Sequence, residues 1–137
     1  MEKKYYLILD QGGSSSRAIV FDGRGNRVCL AQQAVATVRP KPGRVEQSPL
    51  EIVASLRSVA ARAVEQLTKV QRAGLTAAGL VCQRSSLVCW DSLDGKPLSP
   101  ILSWQDTRAY DYLTGLTVDS EKIYKKDAIR FNISKTD

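Results

Sequence analysis

The sequence predicts an α/β fold, a mixed sheet with helices packed on it, and three observations predict it. Three short apolar runs rich in strand formers, residues 4–10, 16–22 and 27–38, are separated by the turn-forming stretches "QGGSS" and "GRGN". A well-capped amphipathic helix starts at residue 49, and residues 75–83 then return to a nearly continuous apolar run.

Each element has its own reason. Three strands joined by two tight turns make an antiparallel meander. The stretch "VRPKPGRVEQ" is a loop, because Pro40 and Pro42 interrupt any regular pairing. Ser48 is an N-cap, Pro49 takes N1 and Glu51 falls at N3, which is the pattern of a capping box. Ile52, Leu56, Val59, Ala63, Leu67 and Val70 follow at helical spacing on one face, and Gly74 suits the stop after Arg72. One continuous helix is therefore expected up to about Gly74. The run "LTAAGLVCQ" (75–83) reads as a strand buried on both faces and parallel to an earlier one. Residues 86–91 and 97–104 read as two more strands around the turn "SLDGK", and "QDTRAYDYLTGL" opens a second helix. The polar tail is weakly helical around 119–131. The order β-β-β-α-β suits an RNase-H-like, actin-type core better than a Rossmann domain, where helices alternate with strands from the start.

The chain has 137 residues, enough for one real core. No stretch approaches the roughly 18 to 20 apolar residues of a membrane span. The apolar run before Asp10 is too short for a secretory leader, so a cytoplasmic protein with no membrane partner is expected. The absence of histidine excludes His-based acid–base chemistry, Ser-His-Asp triads and most zinc sites. Cys29, Cys82 and Cys89 form no CxxC spacing and read as reduced, mostly buried thiols in strands. The net charge of +6 is spread along the chain, with no basic helix interleaved with aromatics, so no nucleic-acid partner is expected.

The tip of the first hairpin, residues 10–17, carries the densest chemistry. Glycines there allow positive φ and close approach of a ligand to the backbone. Successive N–H groups of Gly12, Gly13, Ser14 and Ser15 can converge on an anion, and serine hydroxyls add donors. Asp10, at the end of a strand, can hold Mg²⁺ through oxygen, and Arg17 adds positive charge. Such a set suits the phosphates of a nucleotide. The same residues also suit a plain Gly-Gly turn with exposed serines. Neither a Walker A loop nor a G-x-G-x-x-G fingerprint is present.

Four stretches together carry a resemblance. "LDQGGSSSRAIVFDGRGN", "PKPGRVEQSPLEI", "GLVCQRSSLVCWD…GKPL" and "ILSWQDTRA" resemble, in order and spacing, segments of the FGGY carbohydrate kinases, the glycerol kinases most of all. The resemblance spans about residues 4 to 116. It implies an actin/hexokinase-type fold, ATP and Mg²⁺ as cofactors, a small sugar or polyol as substrate, and a longer parent whose second domain is absent here. Residues 1–137 would then be an incomplete N-terminal domain, with the phosphate hairpin at 10–17 and the general base beyond residue 137. No catalytic residue is therefore expected in this chain. Exposed apolar surface would favour self-association, and a homo-oligomeric parent is expected.

The same resemblance assigns substrate-binding roles to Gln83, Arg84, Ser85, Trp104 and Asp106. Three of them have a plainer reading: Arg84 as a surface residue at a strand end, Trp104 as core packing, and Asp106, together with Arg108, as a first-turn helix residue. Ser85 departs from the glycerol kinase pattern, which has Glu there, and this puts glycerol as the substrate in question. Trp90 and Tyr110 read as packing residues. A non-catalytic sugar- or nucleotide-binding relative, or another actin-like ATPase, are the rival readings.

Overall fold

The computed structural model describes residues 3–110 and residue 112. The chain divides into a compact unit 1–107 and a second unit, 108–137, of which only 108–110 and 112 are described. In the first unit, β1 (Tyr5–Gln11), β2 (Ser15–Asp22) and β3 (Arg27–Ala34) form the expected antiparallel meander. α1 (Pro49–Glu65) then crosses over to β5 (Leu75–Cys82), which pairs parallel with β1. The sheet order is β3-β2-β1-β5. Among the described residues a second sheet has two short strands, β4 (Glu46–Gln47) and β6 (Ile101–Leu102).

The core lies where α1 covers the meander. Ala18, Val20 and Ala31 of the sheet meet Val59 and Ala63 of the helix, with Tyr5 and Leu67 at one end. Val20 and Val59 are fully buried, each contributing about 1.5–3 kcal/mol. Two buried serines interlock beside them: Ser16 Oγ lies 2.7 Å from Ser55 Oγ, and the Ser55 hydroxyl donates to the Ile52 carbonyl at 2.8 Å. The β2–β3 turn is closed by Asp22 Oδ1, which accepts the N–H groups of Arg24 and Asn26, while Gly25 takes φ +83°.

Several expectations need correction. β3 stops at Ala34: the Val35 N–H still meets the Ser14 carbonyl in register, but β2 begins only at Ser15 and the next N–H, that of Ala36, goes to the Glu51 carboxylate. The helix is not continuous. It ends at Glu65, and a short α2 (Lys69–Ala73) begins at Thr68 with a reciprocal capping box to Gln71. The T-x-x-Q spacing at 68–71 was the available signal, and Val70 is consequently exposed. Only half of the box at α1 forms: Ser48 caps the Glu51 N–H, while the Glu51 carboxylate accepts from Ala36 N–H at 2.8 Å. Gly74 does stop the helix, but it is also needed for space, since a Cβ there would run into the Lys3 carbonyl and the Tyr5 ring.

The apolar β5 is largely exposed rather than buried on both faces. It sits at the sheet edge, while α1 packs chiefly on β2 and β3. Cys82, the last residue of this edge strand, is exposed, as is Cys89, and Cys29 is half-buried. Trp90 and Tyr110 are exposed, not packed. The strands expected at 86–91 and 97–104 reduce to β6 and the isolated pairs Leu87–Leu102 and Trp90–Pro97. Pro97 and Pro100 remove ladder donors there, and Ser99 Oγ takes the Cys89 N–H. Residues 105–109 of the expected second helix are not helical, Tyr110 and Tyr112 are, and the rest of it and the tail around 119–131 lie outside the described residues.

Candidate functional site

The parallel pairing of β1 with β5 brings two sequence-distant segments to one end of the sheet. Asp10 and Gln11 pair with Val81 and Cys82, and the Gln83 N–H extends the ladder to the Gln11 carbonyl at 2.8 Å. The hairpin tip after β1 and the residues after β5 therefore lie side by side. A third segment joins them through β6: Ser103 N–H donates to the Val45 carbonyl, and Trp104 follows.

Asp10 and Arg17 are directly opposed on β1 and β2, with Arg17 Nη1 donating to Asp10 Oδ2 at 2.9 Å. Both are partly exposed. The tip between them is tight, because Gly12 N–H donates to the Ser15 carbonyl at 2.9 Å. Neither Gly12 nor Gly13 adopts positive φ. Their role is space. A Cβ on Gly12 would stand 3.3 Å from the Ser15 carbonyl, and one on Gly13 3.3 Å from Gln83 Oε1 and 3.8 Å from Trp104 Nε1. Gly13 and Ser14 are exposed, and among the described residues no hydrogen bond engages their N–H groups. The expected Ser15 hydroxyl donor is not presented at the tip. Ser15 is buried, and its Oγ accepts from Gln32 Nε2 at 3.1 Å.

Arg84, Ser85 and Trp104 line a cavity of about 390 Å³. Trp104 is 59% exposed, so it forms a wall and does not fill the core. Ser85 has φ +57°, a left-handed conformation that costs a non-glycine residue about 1–2 kcal/mol. Such strain at a cavity wall is often where a ligand is held. Asp106 does something different from contacting the cavity. Its Oδ2 accepts the Val45 N–H at 2.7 Å, while Thr107 N–H donates to the Gly43 carbonyl, so the 103–107 segment holds the 43–47 segment in place.

One residue of that segment, Gln47 of β4, was not singled out in the sequence. Gln47 is 2% exposed, and its Nε2 donates to the Gly13 carbonyl at 2.8 Å and to Thr37 Oγ1 at 3.1 Å. Its Oε1 accepts from Gln83 Nε2 at 2.8 Å. Nothing in local sequence marks it, because its partners come from three separate segments.

A larger cleft of about 710 Å³ lies at the opposite end of the sheet, lined by Lys3, Lys4, Tyr6, Asp22 and Arg24 among others, away from all these residues. No helix among the described residues is long and apolar enough to cross a membrane. No cluster of three or more His, Cys, Asp or Glu side chains suited to a metal occurs among them.

The glycerol kinase of Burkholderia cenocepacia (strain HI2424) is 40% identical over 116 residues, which cover 85% of this chain and 23% of that protein. The crystal structure of Plasmodium falciparum glycerol kinase with ADP is similar at a TM-score of 0.74 and 26% identity, over 89% of this chain and 25% of that one. The xylulose kinase from Rhodospirillum rubrum is similar in fold, with a TM-score of 0.76 at 22% identity, over 88% of this chain and 25% of that one. The chain thus spans about a quarter of the length of the relatives it matches. The model of the N-terminal domain of the FGGY family of carbohydrate kinases matches residues 5–135. With a match across almost its whole length, and with the actin/hexokinase-like mixed sheet of its structural neighbours, this chain belongs to the FGGY family of carbohydrate kinases.

Proposed function

We propose that this chain is the N-terminal part of an ATP-dependent kinase that transfers the γ-phosphoryl group of ATP to a hydroxyl of a polyol or sugar. One observation carries the reading. The hairpin tip at Gly13 abuts Gln83 and Trp104, so an anion-facing loop and a cavity with an arginine and an indole wall meet at one point. A phosphoryl donor and a hydroxyl acceptor must meet in the same way, because this chemistry rests mainly on positioning and charge neutralisation.

The residues divide accordingly. The Gly13 and Ser14 N–H groups face the phosphates, and the tight Gly12 turn shapes the loop. Asp10 is the residue to hold Mg²⁺. It is a single carboxylate with one oxygen engaged by Arg17, which suits a cation that keeps most of its ligands as water and phosphate oxygens. The ion would supply neutralisation of phosphate charge. Arg84 offers a fixed fork of donors to substrate hydroxyls, Ser85 a hydroxyl, and Trp104 an apolar wall for the carbon skeleton. The general base is assigned to the part of the protein beyond residue 137, and the chain alone is expected to be inactive.

A coupled ADP-release assay on the full-length gene product, across neutral polyols and sugars, tests the reading. Turnover of one acceptor by the full-length protein, and none by residues 1–137, is the expected result. ATP binding without turnover of any acceptor would favour a non-catalytic sensor instead.

A further inference from the structure

We infer that Gln47 is a positioning residue, and that it fixes the Gln83 side chain as a hydrogen-bond acceptor for the substrate. The inference rests on the kinase reading above.

The argument follows the polarity of the hydrogen bonds. A backbone carbonyl can only accept. The Gly13 carbonyl therefore requires the NH₂ group of Gln47, and Gln47 Nε2 indeed donates to it at 2.8 Å. That orientation leaves Gln47 Oε1 facing Gln83. Gln83 must then present its own NH₂, which it does at 2.8 Å. Its Oε1 is consequently turned the other way, toward Gly13 and Trp104. The orientation of one amide is thus passed to the next, starting from a group whose polarity is fixed.

Among the described residues the end of this relay has no partner: Gln83 Oε1 is buried and accepts no hydrogen bond from them. A buried acceptor left unmade is costly, so its persistence needs a reason. Its place supplies one. It lies beside the hairpin tip and the Trp104 indole nitrogen, next in sequence to the cavity residues Arg84 and Ser85. The group that suits a lone acceptor at that point is a hydroxyl, and polyols and sugars supply hydroxyl donors. Gln47 acts through Gln83 and need not touch the substrate. It also ties the phosphate-facing tip to the substrate-facing strand end with one side chain.

The test is a double-mutant cycle in the full-length gene product, using the acceptor that the wild type phosphorylates. Gln47→Met fills the same space without a donor or acceptor, and Gln83→Ala removes the proposed acceptor. Gln47→Met is expected to raise the KM for the acceptor substrate roughly 3- to 10-fold, the effect of losing one neutral hydrogen bond, with kcat little changed. In the Gln83→Ala background it should have no further effect on that KM. Gln47→His restores one donor and one acceptor as a neutral imidazole and should recover most of the loss above its pKa. Equal effects of Gln47→Met in both backgrounds, or an unchanged acceptor KM in a protein with the wild-type thermal midpoint, would overturn the inference. If Gln47→Met does not fold, the Gln47→His and Gln83→Ala pair decides alone, and a KM unmoved by Gln83→Ala sinks the idea. A wild type that phosphorylates no acceptor overturns the kinase reading, and this inference falls with it.

Discussion

Asp10 and Arg17 sit directly opposite each other where β1 and β2 enter the hairpin tip, joined by an Nη1–Oδ2 hydrogen bond of 2.9 Å. The pair is partly exposed, so its contribution to stability is small, on the order of 0–1 kcal/mol. Its value in the proposed kinase is placement of the carboxylate. Asp10→Ala in the full-length protein should therefore cut turnover at least about 100-fold, the scale of losing a charge-stabilising group, while moving the thermal midpoint by only a few degrees. Steady-state kinetics and thermal unfolding on the same preparation check this. Large destabilisation with activity retained would make Asp10 structural.

Gly13 and Gly74 offer a contrast between site and scaffold. A methyl on Gly13 would press within 3.3 Å of Gln83 Oε1, whose side chain is held by Gln47. Gly13→Ala should raise the acceptor KM and leave folding largely intact. A methyl on Gly74 would meet main-chain atoms of Lys3 and the Tyr5 ring, which cannot step aside. Gly74→Ala should cost roughly 1–3 kcal/mol in denaturant unfolding, as overpacking does, with the KM values of the folded fraction unchanged.

Ser85 holds φ +57° at the cavity wall. Ser85→Gly should stabilise the fold by up to about 1 kcal/mol, because glycine takes this conformation without penalty. Ser85→Val should be destabilising, since a branched Cβ tolerates it least. Urea midpoints of the two variants on either side of the parent would bear this out, and the same direction for both would not.

The buried serine pair makes an asymmetric prediction. Ser55 donates to the Ile52 carbonyl, which leaves Ser16 as the donor to Ser55. Ser55→Ala strands the Ser16 hydroxyl in the core and should cost roughly 1–3 kcal/mol. Ser16→Ala leaves Ser55 still bonded to Ile52 and should cost less. The double variant should fall short of the sum of the two in a denaturant series.

The Asp22 carboxylate is held below its ordinary pKa by the Asn26 side chain first, and by the Asn26 and Arg24 N–H groups after it. A depressed folded-state pKa means that the charged form favours folding. This contribution is present above the unfolded carboxylate pKa and is lost as the pH falls through the lower, folded value. Asp22→Asn should therefore flatten the acid limb of the stability–pH curve below about pH 4 and have its main effect at neutral pH. A curve parallel to that of the parent across the acid range would contradict the assignment.

The meander, the crossover helix with its Ser48 cap and the family were all legible in the sequence. They rest on signals local to a few residues: turn glycines, apolar spacing and short motifs in fixed order. Asp10, Gly13, Arg84 and Trp104 could be named as candidates for the same reason. Tertiary structure alone decided what those residues face. The Asp10–Arg17 pair needed the strand register, and the exposure of β5 needed its edge position. Gln47 needed three separate segments brought to one side chain, and Asp106 needed the Val45 N–H as its partner. The physical reason is one of range: propensity and capping act within a turn or two of chain, whereas the direction of a buried hydrogen bond is set by whichever distant backbone group the fold places opposite it.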